Sequence, residues 1–407
     1  MHRSVRTSLL ISPAAVSLVG SIPSATAIST SWVRRAGKAL EAVAVAPDGS
    51  VYAVGGRRQS ITVAASLYKY TPGGARLWRR SWVPDPHAST KGEVIDVAED
   101  GTIVWGGGLH GQCEGSGWFL EWRSPTGRLL HRYITPGWAC RRAEGIVDIS
   151  ARHGQVVAAG YSFGCCSDPF ADGWVRAFGM DGRPRWTVDI EPPAPTPSEW
   201  FDTATGIAAG ALGNLYVAGW AANVRIRSDA DPRLGTPILV KLSRGGAVLW
   251  SRRLPAVVRV YGARVSVAAR ADRVLVTAPV GGRTLVRWGS PATAGWLAAL
   301  DTGGSLEWQV RWDDGPDEGA SPTHVAIDAA GVAWVTGTRR DVVHRDLDMF
   351  VRRYGPGGGP LGMFHAGGPL SMRGTGLAIV DGGAVVSGAR GTDWYGSRGG
   401  RLWRLAA

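Results

Sequence analysis

Lysine is almost missing from this chain. Only Lys38, Lys69, Lys91 and Lys241 are lysine among 45 basic residues, and the remainder are arginine. That bias points to a GC-rich genome as readily as to a function. Long helix-forming runs of Leu, Glu and Lys are also missing, which excludes a helical bundle. Beyond the N-terminus there is no run of about twenty apolar residues, so no helical membrane span is expected. No long basic run occurs either: the arginines stand singly or in pairs, which argues against specific nucleic-acid recognition. The net charge of +12 still favours polyanions such as acidic glycans or wall polymers.

What is present begins with an export signal over residues 1–27. His2, Arg3 and Arg6 form a basic start, Ser8 to Ile22 is largely apolar, and Ala25-Thr26-Ala27 supplies small residues for cleavage after Ala27. Pro13 and Pro23 interrupt it too often for a membrane span. No cysteine precedes Cys113, which excludes a lipid-anchored cleavage site. The mature chain is expected to be secreted or extracytoplasmic, as a monomer.

Glycine (58) and tryptophan (19) are both abundant, and one pattern recurs. An apolar strand, a tight turn and a second strand ending in Gly appear in EAVAVAPDGSVYAVGG (41–56), EVIDVAEDGTIVWGGG (93–108) and GIVDISARHGQVVAAG (145–160). Four more copies lie at 205–219, 265–279, 324–337 and 375–388. A second half, strand, Gly-rich turn and often Trp, follows in SLYKYTPGGARLW (66–78), PILVKLSRGGAVLW (237–250) and GWLAALDTGGSLEW (295–308). Turn positions 49, 101, 154, 213, 273, 331 and 382 lie 52, 53, 59, 60, 58 and 51 residues apart. A four-stranded unit of that length is a propeller blade, and seven of them distribute the core of residues 28–407 over one ring. The fold class is therefore all-β, a single seven-bladed β-propeller. Trp78, Trp186, Trp250 and Trp308 follow the third turn, where a large ring fills the widening gap between blades. The seventh unit ends at GGRLWRLAA (399–407), a third strand without a fourth, while Trp32-Val33-Arg34-Arg35 near the start matches Trp78-Arg79-Arg80. The N-terminal strand is expected to close the last blade and remove an open sheet edge.

The first halves resemble the bacterial SBBP-type β-propeller repeat. The second halves, best at Ala299 to Trp308, resemble the tryptophan-docking motif of PQQ-like propellers. This resemblance covers nearly all of residues 28–407 and implies blade packing rather than an activity.

In a meander the first and third turns share one face, and the second loop and blade connections share the other. The former are short (PDGS, EDGT, PGG, TGG) and the latter long and varied, so binding is expected on the variable face. All four cysteines map there. In an exported chain, Cys113, Cys140, Cys165 and Cys166 read first as two disulfides tying blade 2 to blade 3, with a four-thiolate zinc site as the sharper alternative. The first strands of blades 1–3 carry Glu41, Glu93, Asp96, Glu144 and Asp148, expected near the channel and its variable-face mouth. The plainer reading is a hydrated channel with arginine pairs; the sharper is a cation site or a carboxylate pair for glycoside chemistry. His110 joins them as the histidine nearest the cysteines. The acidic loops 313–318 and 228–231 would take calcium, but neither has the spacing of a calcium loop. No other cofactor is expected. Gly160 to Gly164 (G-x-S-x-G) and Gly106 to Gly111 (G-x-G-x-x-G) lack the helix their chemistry requires.

The functional expectation is a non-enzymatic binding or scaffold propeller for an extracellular glycan, wall polymer or protein. The alternative is an enzyme using the channel mouth, either a PQQ-like dehydrogenase or a glycan-active hydrolase or lyase. The docking-type motifs carry no catalytic Asp, calcium ligands or stacking aromatics for a quinone.

Overall fold

A computed structural model describes residues 26–36, 39–59, 62–84, 89–110, 116–135, 142–164, 171–191, 201–222, 234–256, 258–259, 264–280, 294–312, 319–340, 347–367, 371–390 and 399–407. Every regular element among them is a strand. The strands form seven antiparallel four-stranded blades arranged as a ring. Blade 1 runs through Leu40–Val45, Val51–Gln59, Thr62–Tyr70 and Arg76–Trp82. Blade 7 takes Met372–Val380, Gly383–Arg390 and Gly399–Ala406 from the C-terminus and Thr30–Ala36 from the N-terminus. Val33 pairs with Trp403 and Arg35 with Arg401, so the N-terminal strand closes the ring as expected. Just before it, Thr26 and Ala27 pair in parallel with Gly362 and Met363 on the outer edge of blade 6. Ile28 is then buried among Trp334, Met349 and Trp403 between blades 6 and 7.

The core is a series of inter-blade layers, because each second and third strand is apolar on both sides. The tightest joints are at the third turns. Each is a type I turn ending in a left-handed glycine, as where Gly74 N–H (φ +81°) donates to the Thr71 carbonyl at 2.8 Å. The missing side chain also makes room for the tryptophan of the preceding blade: a Cβ on Gly74 would lie 2.9 Å from Trp32. The same docking places Trp78 on Gly127, Trp186 on Gly246, Trp250 on Gly304 and Trp308 on Gly358. Between blades 2 and 3, His131 takes the tryptophan's place against Gly182.

A second ring of hydrogen bonds latches neighbouring blades at or beside their innermost strands. Gly92 N–H donates to the Gly55 carbonyl (3.3 Å) between blades 2 and 1. Thr205 Oγ1 donates to the Val265 carbonyl (2.8 Å) between blades 4 and 5, and Ser266 Oγ accepts from Val325 N–H (3.3 Å) between blades 5 and 6. Thr323 donates to Gly374 (2.9 Å), and Thr375 donates to Leu40 (2.7 Å) across the closure. The two remaining interfaces are latched by carboxylates.

Candidate functional site: charged groups of the channel

Glu41 is the extra residue of a β-bulge, since the register with the second strand shifts between Leu40 and Ala42. A bulge re-aims its side chain out of the ordinary alternation. Lys91, just before the first strand of blade 2, places Nζ 3.2 Å from Glu41 Oε1 and 3.5 Å from Glu93 Oε1. The other oxygen of Glu93 accepts from Gly108 N–H at 3.1 Å. Burial raises the Glu41 carboxyl above its ordinary range, Lys91 opposes the rise, and Glu93 adds to it. Burial also works against the charge on Lys91, but the two glutamates outweigh it and raise its pKa. Tyr161 borders the same group; burial and then the Glu93 charge push its hydroxyl up.

Asp96 and Asp148 sit deeper and supply the two missing latches. Asp96 accepts from Val97 N–H and, across the blade boundary, from Ala151 N–H, both at 2.8 Å, and lies 3.3 Å from Arg152. Asp148 accepts from Ile149 and Ile207 N–H, both at 3.0 Å, the latter in blade 4. In each, burial raises the carboxyl pKa against the pull of the partner arginine. That partner for Asp148 is Arg264, 3.8 Å away. Arg264 enters from blade 5 and donates to the Val147 carbonyl of blade 3 at 3.1 Å, so its side chain reaches past blade 4. It also acts on His324 of blade 6, whose pKa falls well below its ordinary value through burial and then the Arg264 charge.

Two candidates take no part in these ion pairs. Glu144 lies between blades rather than with the channel groups: it accepts from Trp118 Nε1 at 3.1 Å and lies 3.9 Å from Arg176, which stacks over Trp118 and Trp174. The reason is strand alternation, which turns Glu144 toward the third strands. His110 is exposed at the end of its strand, and its ring shares the space over Gly108 with Glu93: a Cβ there would meet Nε2 at 3.3 Å and Oε2 at 3.4 Å. Cys113, Cys140, Cys165 and Cys166, with the acidic loops 228–231 and 313–318, lie outside the described residues. Among the described residues no group of three or more His, Cys, Asp or Glu is placed to hold a metal ion.

Sequence reasoning missed Lys91, Tyr161, Arg264 and His324. Only Lys91 carried a signal, as one of four lysines, standing two residues before Glu93. It also missed a buried network in blade 2. There Glu121, with no exposed surface, accepts from Trp105 Nε1 (2.9 Å), Arg123 Nε (2.7 Å) and Arg132 Nε (2.8 Å).

No family model matches the chain, and no curated protein matches it. Among solved structures it is similar to a protein of unknown function from Dyadobacter fermentans, at 11% identity and TM-score 0.50, covering 93% of this chain and 99% of that one. It is also similar to Sqt1 of Chaetomium thermophilum, at 11% identity and TM-score 0.50, covering 93% and 98%. An α-L-arabinanase of Penicillium chrysogenum is more distant, at 9% identity and TM-score 0.47, covering 84% and 98%. These likenesses extend to the fold alone, which is the β-propeller.

Proposed function

We propose that the chain is a secreted or cell-surface binding propeller that takes a glycan, wall polymer or protein across its variable-loop face. The observation that carries this reading is the state of the channel carboxylates. Glu41 and Glu93 share Lys91, and Asp96 and Asp148 are each held by backbone N–H groups and an arginine. Groups so engaged serve as structure, leaving a rigid platform beneath the long connections.

One observation favours an enzyme at the channel mouth. Glu41 and Glu93 flank a single lysine, and burial raises the Glu41 carboxyl above its ordinary range. A carboxyl raised by burial beside a second carboxyl suits the acid role in glycoside hydrolysis. A glycan and wall-polymer screen on untagged mature protein, followed for both retention and product release, separates the two. Retention without products, unchanged in Asp181→Ala on the short-turn face, is expected. Product release abolished by Glu41→Gln would establish the enzyme.

A further inference from the structure

Blade 7 carries one arginine at the variable-face end of each of its four strands: Arg373, Arg390, Arg401 and Arg35. The register brings three of them together. Arg35 stands directly opposite Arg401, and Arg390 pairs with Gly399, one step along the next strand on the same face. That face looks toward blade 6, because Met372, the cross-strand partner of Arg390, is buried in the layer between blades 6 and 7. Like charges placed directly opposite are destabilising in a sheet, and the consequence shows at Arg401. Burial lowers its pKa, and Arg390 and Arg35 lower it further, with no carboxylate acting against them.

Several other arginines of the ring have partners. Arg34 donates to the carbonyls of Gly73 and Gly74, Arg132 to Glu121, and Arg273 to Glu307. In blade 6, Arg339 lies 3.8 Å from Asp348. Among the described residues, Arg35, Arg390 and Arg401 have no carboxylate partner. Arg373, next to Met372, turns to the opposite face, where it is close enough to the Glu41 carboxylate of blade 1 to lower its pKa. With strands about 4.8 Å apart, Arg390, Arg401 and Arg35 form a short basic track across the outer three strands of blade 7.

We propose that Arg35, Arg390 and Arg401 form a binding site for the phosphate or sulfate esters of a linear polyanion lying radially across blade 7. The proposal rests on the reading of the variable face as the binding face and names the ligand class. Guanidinium forks match tetrahedral oxyanions bidentately, and an intervening anion converts mutual repulsion into attraction. A chain of ester groups, rather than a lone ion, fits a row whose members come from successive strands.

The test uses full mature protein and long-chain polyphosphate, with a sulfated and a carboxylated polysaccharide as parallel probes. The variant Arg35→Gln/Arg390→Gln/Arg401→Gln is compared with Arg128→Gln/Arg183→Gln/Arg185→Gln, which removes equal charge from the short-turn face. The blade 7 variant is expected to lose at least thirtyfold in affinity for polyphosphate, and the control less than threefold. Without ligand, the blade 7 variant is expected to melt no lower than the parent, since repulsion has been relieved. A preference for the sulfated over the phosphate probe assigns the ester and keeps the site. Equal losses in both variants, or tighter binding of the carboxylated probe, would overturn the site. A neutral glycan retained equally by parent and blade 7 variant, with polyphosphate ignored, would overturn the track yet leave the binding propeller standing.

Discussion

Trp32 of the N-terminal strand lies against Gly74 of blade 1 and donates its Nε1–H to the Pro72 carbonyl at 3.0 Å. Trp308 repeats the arrangement on blade 6, donating to the Pro356 carbonyl at 2.7 Å. The closing strand thus joins the ring through the same joint as an interior blade. Deleting residues 28–36 removes this joint, the Arg34 bonds and a whole strand edge. The truncated protein is expected to lose several kcal/mol and to associate through the bared edge of blade 7. Trp32→Ala alone is expected to cost about 2–3 kcal/mol. Calorimetry and light scattering read both; a monomeric truncation with an unchanged melting temperature would contradict this closure.

The joint makes a sharper contrast within one turn. Gly358 has φ +84°, and a Cβ there would lie 2.9 Å from the Trp308 ring, whereas a Cβ on Gly357 would meet nothing within 4 Å. Gly358→Ala is therefore expected to cost roughly 1–3 kcal/mol in backbone strain and displaced indole. Gly357→Ala is expected to be neutral or slightly stabilising. Equal melting temperatures for the two variants would remove the glycine–tryptophan joint as the reason for the recurrent pattern.

The blades, their number, the closure and the place of the tryptophans were legible because each depends on local repetition: spacing, turn chemistry and alternation. The channel was legible only in part. Glu41, Glu93, Asp96 and Asp148 were found by their place in the first strand, but Arg264 meets Val147 across 117 residues, a separation no pattern within one repeat can reveal. Glu144 was misplaced because its position at a strand start does not tell which way alternation turns it. His131 docks where a tryptophan is the rule, and Glu121 is buried by partners drawn from three strands of its own blade.

The carboxylate latches should be stronger than the hydroxyl ones. Asp148→Ala leaves Ile207 N–H without its 3.0 Å acceptor and Arg264 without its carboxylate. A loss of roughly 2–4 kcal/mol is expected, with Asp148→Asn retaining about half. Denaturant unfolding measures both. A neutral Asp148→Ala would show that the inner ring does not hold blades 3 and 4 together.

The cysteines remain an expectation from export. No free thiol is expected in protein isolated from outside the cell, and reduction is expected to lower the melting temperature. A bridge closing a few tens of residues contributes roughly 3–4 kcal/mol. Four titratable thiols, or stoichiometric zinc, would replace the disulfides with the thiolate metal site.

The dependence of stability on pH has opposing parts that can be separated. Burial and Arg264 hold His324 well below its ordinary value of 6.5, so the folded state binds fewer protons there than the unfolded chain. Its contribution is present above about pH 6.5 and is lost as pH falls below that value. Glu41, Asp96 and Asp148 are raised above ordinary values of 4.5, 3.8 and 3.8, so the folded state holds their protons more tightly. Their contribution is full below those ordinary values and is lost as pH rises through the raised ones. His324→Gln is therefore expected to lose less stability than the parent as the pH falls from about 7 to 5, because the imidazole's opposing contribution is gone. Removing Arg264 with Arg264→Gln should lower the slope over the same range by relieving the charge that opposes the imidazolium, although it also frees Asp148. The decisive measurement is the slope of unfolding free energy against pH from 7 to 5. An identical slope in parent and His324→Gln would mean that the imidazole takes up its proton in the folded channel as readily as in the unfolded chain.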